Sequence, residues 1–325
     1  MKKVSLALVM VAAMMIAACS NSGAPVTNKE QNTAKQADKV EPVAITRIIN
    51  TVMGEVEVPT EPQRVVVDWD LGHIVALGIE PVGASKTTLD FGLLLKQFIT
   101  DKTEEIGRDG QVSYEKVLEL NPDLIITWNR EQVSEYAKIA PTVVFETKKY
   151  ANMHEQLRGM GEILNRQAEA DKWLAEFDER IAKAKEKIKE AIPSGATFSI
   201  IDAATLKDAI VVGEATERGG LAAYQALGLT PQEKVKTELI DKGESRAEVS
   251  WEAINQFAGD YIFLITQGED VKPELPSTWN SLEAVKNGNV MELYMKEFFV
   301  GDPVSTLYQA EIMADKIVAV AKEKK

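Results

Sequence analysis

Residues 113–128 read Ser113-Tyr114-Glu115-Lys116-Val117-Leu118-Glu119-Leu120-Asn121-Pro122-Asp123-Leu124-Ile125-Ile126-Thr127-Trp128. The apolar spacing from Tyr114 to Leu120 suits a helix, and Asn121-Pro122-Asp123 is a turn, because proline fixes φ and cannot continue a helix. Leu124 to Trp128 is then a strand, a short run of large and β-branched residues bounded by turn residues. The same order stands upstream. Arg64-Val65-Val66-Val67-Asp68 is a β-branched run after Pro59 and Pro62, a helix-like stretch from Leu71 to Leu77 closes at Gly78, and Pro81-Val82-Gly83-Ala84 is a further strand. Strands alternating with helices predict a parallel sheet covered on both faces.

From Asn165 to Ile192 the chain contains neither Gly nor Pro, and Leu174, Phe177, Ile181, Ala184 and Ile188 form one apolar stripe among Lys and Glu. About 26 helical residues would run roughly 39 Å, the length of a domain, so this segment is read as a spine between lobes. Beyond Pro193-Ser194-Gly195 the alternation resumes: strand Thr197 to Ile201, helices near Leu221 to Leu227 and Trp251 to Phe257, strand Tyr261 to Ile265, and an amphipathic helix from Ser305 to Lys322. The expected fold class is α/β, two Rossmann-like lobes with mainly parallel sheets joined by a single long rigid helix. The expected boundaries are 45–164 for the N-terminal lobe, 165–192 for the spine and 193–325 for the C-terminal lobe.

The beginning of the chain is different. Lys2 and Lys3 precede an apolar run from Leu6 to Ala18 that is too short to span a bilayer. It reads as an export signal, 1–18. Ile16-Ala17-Ala18-Cys19 resembles the lipobox of bacterial lipoproteins, in which the cysteine becomes a lipid anchor, so the expected location is the extracytoplasmic face of the cell membrane. Residues 19–44 are polar and small and read as a flexible tether. Cys19 is the only cysteine, which removes intrachain disulfides and thiol sites from the globular part. The net charge of −13 argues against nucleic acid, whose phosphates need clustered Lys and Arg.

Several segments together resemble the solute-binding proteins of iron-siderophore and cobalamin importers. They are Arg64-Val65-Val66-Val67, Ala76-Leu77-Gly78-Ile79-Glu80-Pro81-Val82-Gly83, Ile106-Gly107, residues 113–126, Ala140-Pro141-Thr142-Val143 and Ser250-Trp251-Glu252. Gly301-Asp302-Pro303-Val304-Ser305, with Gln309 four residues later, is similar to a stretch of the ferric-hydroxamate binders. The resemblance implies a monomeric carrier without enzymatic activity or cofactor, whose ligand is a ferric siderophore and whose partner is an ABC permease dimer.

By that resemblance Arg108 contacts the oxygens around the iron, and Arg218, before Gly219-Gly220, stands at the corresponding place in the second half. A guanidinium suits the task because it is always charged and presents a planar fork of donors. The alternatives are a solvated surface Arg108 and an Arg218 paired with Glu217 or Glu214. Trp69 follows the first strand and Trp128 ends the third, where ligands bind in open α/β sheets, and Trp279 stands in a loop after Pro273 and Pro276; all three are candidate ligand contacts. Trp173 and Trp251 are read as packing residues. Glu115 and Glu252, each two residues after a serine at a helix start, correspond to glutamates that dock on the permease in the family; a carboxylate there also suits the helix dipole.

A direct metal carrier would need several protein ligands, yet the histidines are only His73 and His154, each read as a helix-surface residue. A hydrolase would need a nucleophile beside a base, and no Gly-x-Ser-x-Gly elbow is present. A ferric catecholate, haem or cobalamin carrier remains open, because the fold admits all of these ligands.

Overall fold

Val65, Val66 and Val67 have no exposed surface, which a strand achieves in the middle of a sheet covered on both faces. In the computed structural model, Val65–Val67 pairs in parallel with Gly83–Ala84 on one side and Leu124–Thr127 on the other. Glu104–Glu105 and Thr142–Val144 complete a five-stranded parallel sheet at its two edges. Helices Leu71–Ala76 and Tyr114–Glu119 stand where the sequence predicts them. The structure describes residues 45–324 apart from 205, 206, 216 and 272; the expected signal, Cys19 and the tether lie outside the described residues.

The second sheet has Thr197–Asp202 at its centre, with Tyr261–Thr266 and then Val290–Tyr294 parallel on one side. Thr230–Pro231 adds a short parallel pairing. On the other side Ala209–Val212 and Arg246–Val249 run antiparallel. Only Ala203 to Asp208 separate Thr197–Asp202 from Ala209–Val212, too few residues for the crossover that a parallel neighbour requires. The architecture is thus two α/β lobes, the second with an antiparallel edge.

The spine is Gln167–Lys189, 23 residues and therefore about 35 Å long. It starts later than expected because Asn165 turns into the left-handed region (φ 56) and separates it from Met153–Leu164, a helix that the sequence reading does not resolve. The expected stripe from Leu174 to Ile188 is buried. Arg180 grips Glu311 of the last helix, Pro303–Glu323, through two bonds of 2.9 and 2.6 Å. Trp173, stacked on Phe177, packs against the cores of both lobes. The second half departs from expectation at two helices: Leu221–Ala226 is a π-helix, and the stretch after Trp251 forms turns and a 3-10 turn at Ile254–Gln256. A hairpin, Thr46–Thr51 with Gly54–Pro59, precedes the first lobe and is also unforeseen. Among the described residues no helix is long and apolar enough to cross a membrane.

Candidate functional site

Asp68 terminates the central strand of the first lobe and is buried. It accepts hydrogen bonds from Thr127 Oγ1 (2.5 Å), the Trp128 backbone N–H (3.3 Å) and the Tyr136 hydroxyl (3.3 Å). Burial pushes its carboxyl up to about 6, against the lowering effect of these donors. Asp68 thereby ties together the two strand ends that carry Trp69 and Trp128. Trp128 is 44 % exposed, a large apolar surface turned outward from a rigid strand end.

Arg108 lies on a small hairpin, Gly107–Arg108 against Gln111–Val112. Gly107 has φ +108, and a Cβ there would fall 2.7 Å from the Gln111 carbonyl oxygen, so the turn that carries Arg108 requires glycine. The Arg108 side chain is half exposed, and its Nη2 lies 3.9 Å from Asp90 Oδ2. Such a long, wet pair contributes little to stability and leaves most of the guanidinium donors available.

Arg218 is placed otherwise. Its backbone is left-handed (φ 61), and the turn sends the side chain back into the second lobe, where it is 4 % exposed. Its Nε donates to Asp202 Oδ2 at 2.7 Å, and its Nη1 lies 2.7 Å from Glu217 Oε2; Glu217 also pairs with Arg246. The paired alternative from the sequence is therefore the one observed. The guanidinium also stands over Phe299, 5.7 Å from the ring centroid.

Phe299 joins the lobes. It leaves the second sheet's connection to the last helix and meets Phe91, on helix Lys86–Phe91 of the first lobe, at 4.9 Å between centroids. Trp69 meets its edge at 6.5 Å. Trp69, Phe299 and Phe91 form an aromatic wall, with Arg218 behind one end. Lys86 and Arg108 both approach Asp90, the residue before Phe91.

Trp279 does not join this wall. It sits in helix Ser277–Asn280, not a loop, only 6 % exposed, edge-on to Trp251 at 6.0 Å in the second lobe's core. Little of its ring is left to face a ligand. Glu115 is exposed in the first turn of Tyr114–Glu119, whose N-cap Ser113 accepts from the Lys116 N–H at 3.3 Å. Glu252 is equally exposed but lies in a turn, not a helix; Ser250 contributes its carbonyl to Ala253 instead of a side-chain cap. His154 pairs with Asp178 of the spine at 2.8 Å. His73, read from sequence as a surface residue, is 2 % exposed against Phe145. Among the described residues no group of three or more His, Cys, Asp or Glu could hold a metal ion.

The sequence model of the family described as "Periplasmic binding protein" matches residues 70–295. The chain belongs to this family. Among curated relatives it is 32 % identical over 319 residues to the iron(3+)-hydroxamate-binding protein YxeB of Bacillus subtilis, covering 96 % of this chain and 95 % of that protein. It is 36 % identical over 318 residues to the iron(3+)-hydroxamate-binding protein FhuD of the same organism, covering 96 % and 95 %. Among solved structures, FhuD2 from Staphylococcus aureus with bound ferrioxamine B superposes with a TM-score of 0.71 at 28 % identity, covering 80 % of this chain and 100 % of that one. In this periplasmic binding protein, then, the wall between the lobes is the candidate ligand site. Sequence reasoning missed Phe91, Phe299, Asp90 and Asp202. The one available signal was Phe298-Phe299 standing just before the Gly301-Asp302-Pro303 stretch.

Proposed function

We propose that this chain captures a ferric siderophore of the hydroxamate class at the inter-lobe wall and delivers it to the permease dimer of an ABC importer. The observation that carries the reading is the pairing of an aromatic wall from both lobes (Trp69, Phe299, Phe91) with the available guanidinium of Arg108. The relatives that bind iron(3+) hydroxamates support it. A chelate brings its iron already coordinated. The protein then needs flat apolar area for the chelator body and donors for the oxygens around the metal, and Arg108 offers the second in charge-assisted form, about 1.5–3 kcal/mol per bond when water is excluded. Trp128, exposed just after the neighbouring strand Leu124–Thr127, offers a further aromatic face on the first lobe.

In this reading Arg218 acts from behind, holding Phe299 by its position over the ring, while Asp202 and Glu217 neutralise it. Glu115 and Glu252 dock the loaded carrier on the permease, one per lobe. The carrier works as a monomer, held to the membrane by lipid on Cys19, and performs no catalysis. The 23-residue spine and the Arg180–Glu311 clasp resist hinge bending, so loading closes the lobes by only a few degrees.

The test is tryptophan fluorescence with ferrichrome, ferrioxamine B, a ferric catecholate and cobalamin as titrants. Saturable quenching by the hydroxamates is expected. Quenching by cobalamin or the catecholate alone would reassign the ligand, and no response to any of them would overturn the reading.

A further inference from the structure

Behind the aromatic wall, the head of the last helix meets helix Leu71–Ala76 at a small cavity of about 30 Å³ lined by Trp69, Asp70, His73, Thr147, Gly301 and Asp302. Asp70, His73 and Asp302 are each more than nine-tenths buried. Asp302 is pressed onto the backbone of the neighbouring helix: a Cβ on Gly72 would lie 1.8 Å from Asp302 Oδ1. Its carboxyl is engaged by Ser305, whose backbone N–H reaches Oδ1 and whose hydroxyl reaches Oδ2, each at 2.8 Å. Asp70 has no such support. Among the described residues its Oδ2 has no hydrogen-bond partner; His73 faces the Gln156 side chain, and its Nδ1 lies 3.5 Å from Asp70 Oδ1.

The groups acting on Asp70 are the carboxyls of Asp68, at the end of the central strand, and Asp302, at the head of the last helix, both acidic and each itself raised by burial against the lowering effect of its hydrogen-bond donors. His73 is the third titratable group facing it, and burial lowers that imidazole to about 4, so it is neutral at physiological pH. Tyr150 faces it from the segment before Met153–Leu164, its hydroxyl held up by burial and by Glu162 and Asp70. No cation is among these groups. An ionised Asp70 would stand desolvated beside two carboxylates, an arrangement that buried acids avoid by keeping a proton.

We infer that the cavity is a proton site: Asp70 is held as the neutral acid, sharing its proton with one water molecule that also serves His73, and this uncharged contact lets helix Leu71–Ala76 sit against Asp302 where the two lobes meet. A water needs about 10–15 Å³ and two to four polar partners, and the cavity supplies both. Burial and the neighbouring carboxylates hold the folded-state carboxyl well above its ordinary range. The contribution of this contact to stability is therefore complete in acid and is lost as pH rises through the folded-state value. Trp69 adjoins the cavity, so the loosening reaches the wall described above. This inference goes beyond the proposed carrier role, and its readouts need no ligand.

The experiment compares thermal midpoints of the full chain and Asp70→Asn from the ordinary aspartate range up to alkaline pH. The wild-type midpoint is expected to fall as pH rises, and the slope of Asp70→Asn to be at most half as steep, with its midpoint the higher of the two at the alkaline end. Parallel slopes would overturn the inference. Should Asp70→Asn fail to fold, carbon-13 spectra of aspartyl carboxyls in the wild type at neutral pH decide: a neutral carboxyl is expected, and a spectrum with every aspartate ionised overturns it.

Discussion

Replacing Phe299 with alanine removes the element that joins the two halves of the wall. The ring is partly buried against both lobes. It makes one aromatic contact at 4.9 Å and another at 6.5 Å, and a cation stands 5.7 Å from its centre. Aromatic pairs contribute about 0.5–1.5 kcal/mol each beyond the area they bury, an exposed cation–π contact about 0.5–1 and a desolvated one about 2, and complete truncation of a core phenylalanine costs about 3–5. A half-buried ring with these partners should cost roughly 2–4 kcal/mol, which lowers the midpoint by roughly 5–10 °C in a chain of this size. Ferrioxamine B affinity should fall at least tenfold, since tenfold corresponds to only about 1.4 kcal/mol of lost contact. Phe299→Leu, which keeps apolar volume without a ring, should recover most of the stability but little of the affinity. Calorimetric melts and fluorescence titration read both quantities. Phe299→Ala that melts and binds like the wild type would refute the wall as the ligand surface.

Four further outcomes are expected. Arg108→Ala should weaken chelate binding roughly tenfold or more, about 1.5–3 kcal/mol for a charge-assisted bond, while the melt stays within about 0.5 kcal/mol of wild type, because its ion pair with Asp90 is long and exposed. Gly107→Ala should cost affinity by displacing the hairpin that carries Arg108, given φ +108 and the 2.7 Å approach to Gln111; an unchanged titration would count against the hairpin's role. Glu115→Ala combined with Glu252→Ala should abolish siderophore uptake by cells and leave binding in solution intact, and surviving uptake would remove the docking assignment. His73 titrates in acid: its folded-state value of about 4 lies below the ordinary 6.5, so its contribution is present above 6.5 and is lost as pH falls toward 4, by a few kcal/mol at most. His73→Phe, which keeps a ring against Phe145, should lose less stability than wild type over that interval in paired melts.

Where local periodicity decides the outcome, the fold was legible in the chain. The valine run at 65–67, the strand Leu124–Thr127 and the stripe Leu174 to Ile188 all stand as read, because β-branched enrichment between turn residues favours a buried strand and three-and-four spacing over a long stretch favours a helix with one buried face. Legibility ends where a single backbone angle or a distant partner decides. Arg218 looked like a clamp facing a ligand, but its left-handed φ turns the side chain inward to Asp202 and Glu217. The Phe91–Phe299 contact joins residues more than two hundred positions apart, and no local pattern announces it. Trp279 follows Pro276, which reads as loop, yet tertiary packing against Trp251 draws it into the core. His73 lies in the short helix that the sequence reading placed at 71–77, and distant partners, Phe145 and Gln156 among them, bury it.

The most direct test of the account is a titration of the full chain with ferrioxamine B, with the same chelator free of iron, and with ferric ion in a weak buffer complex. Saturable one-to-one quenching by the iron-loaded chelator, much weaker response to the iron-free one and none to the bare ion is the predicted result. Tight binding of the ion alone, or equal affinity for both forms of the chelator, would contradict the claim that aromatic rings and Arg108 grasp a chelate whose iron is already coordinated.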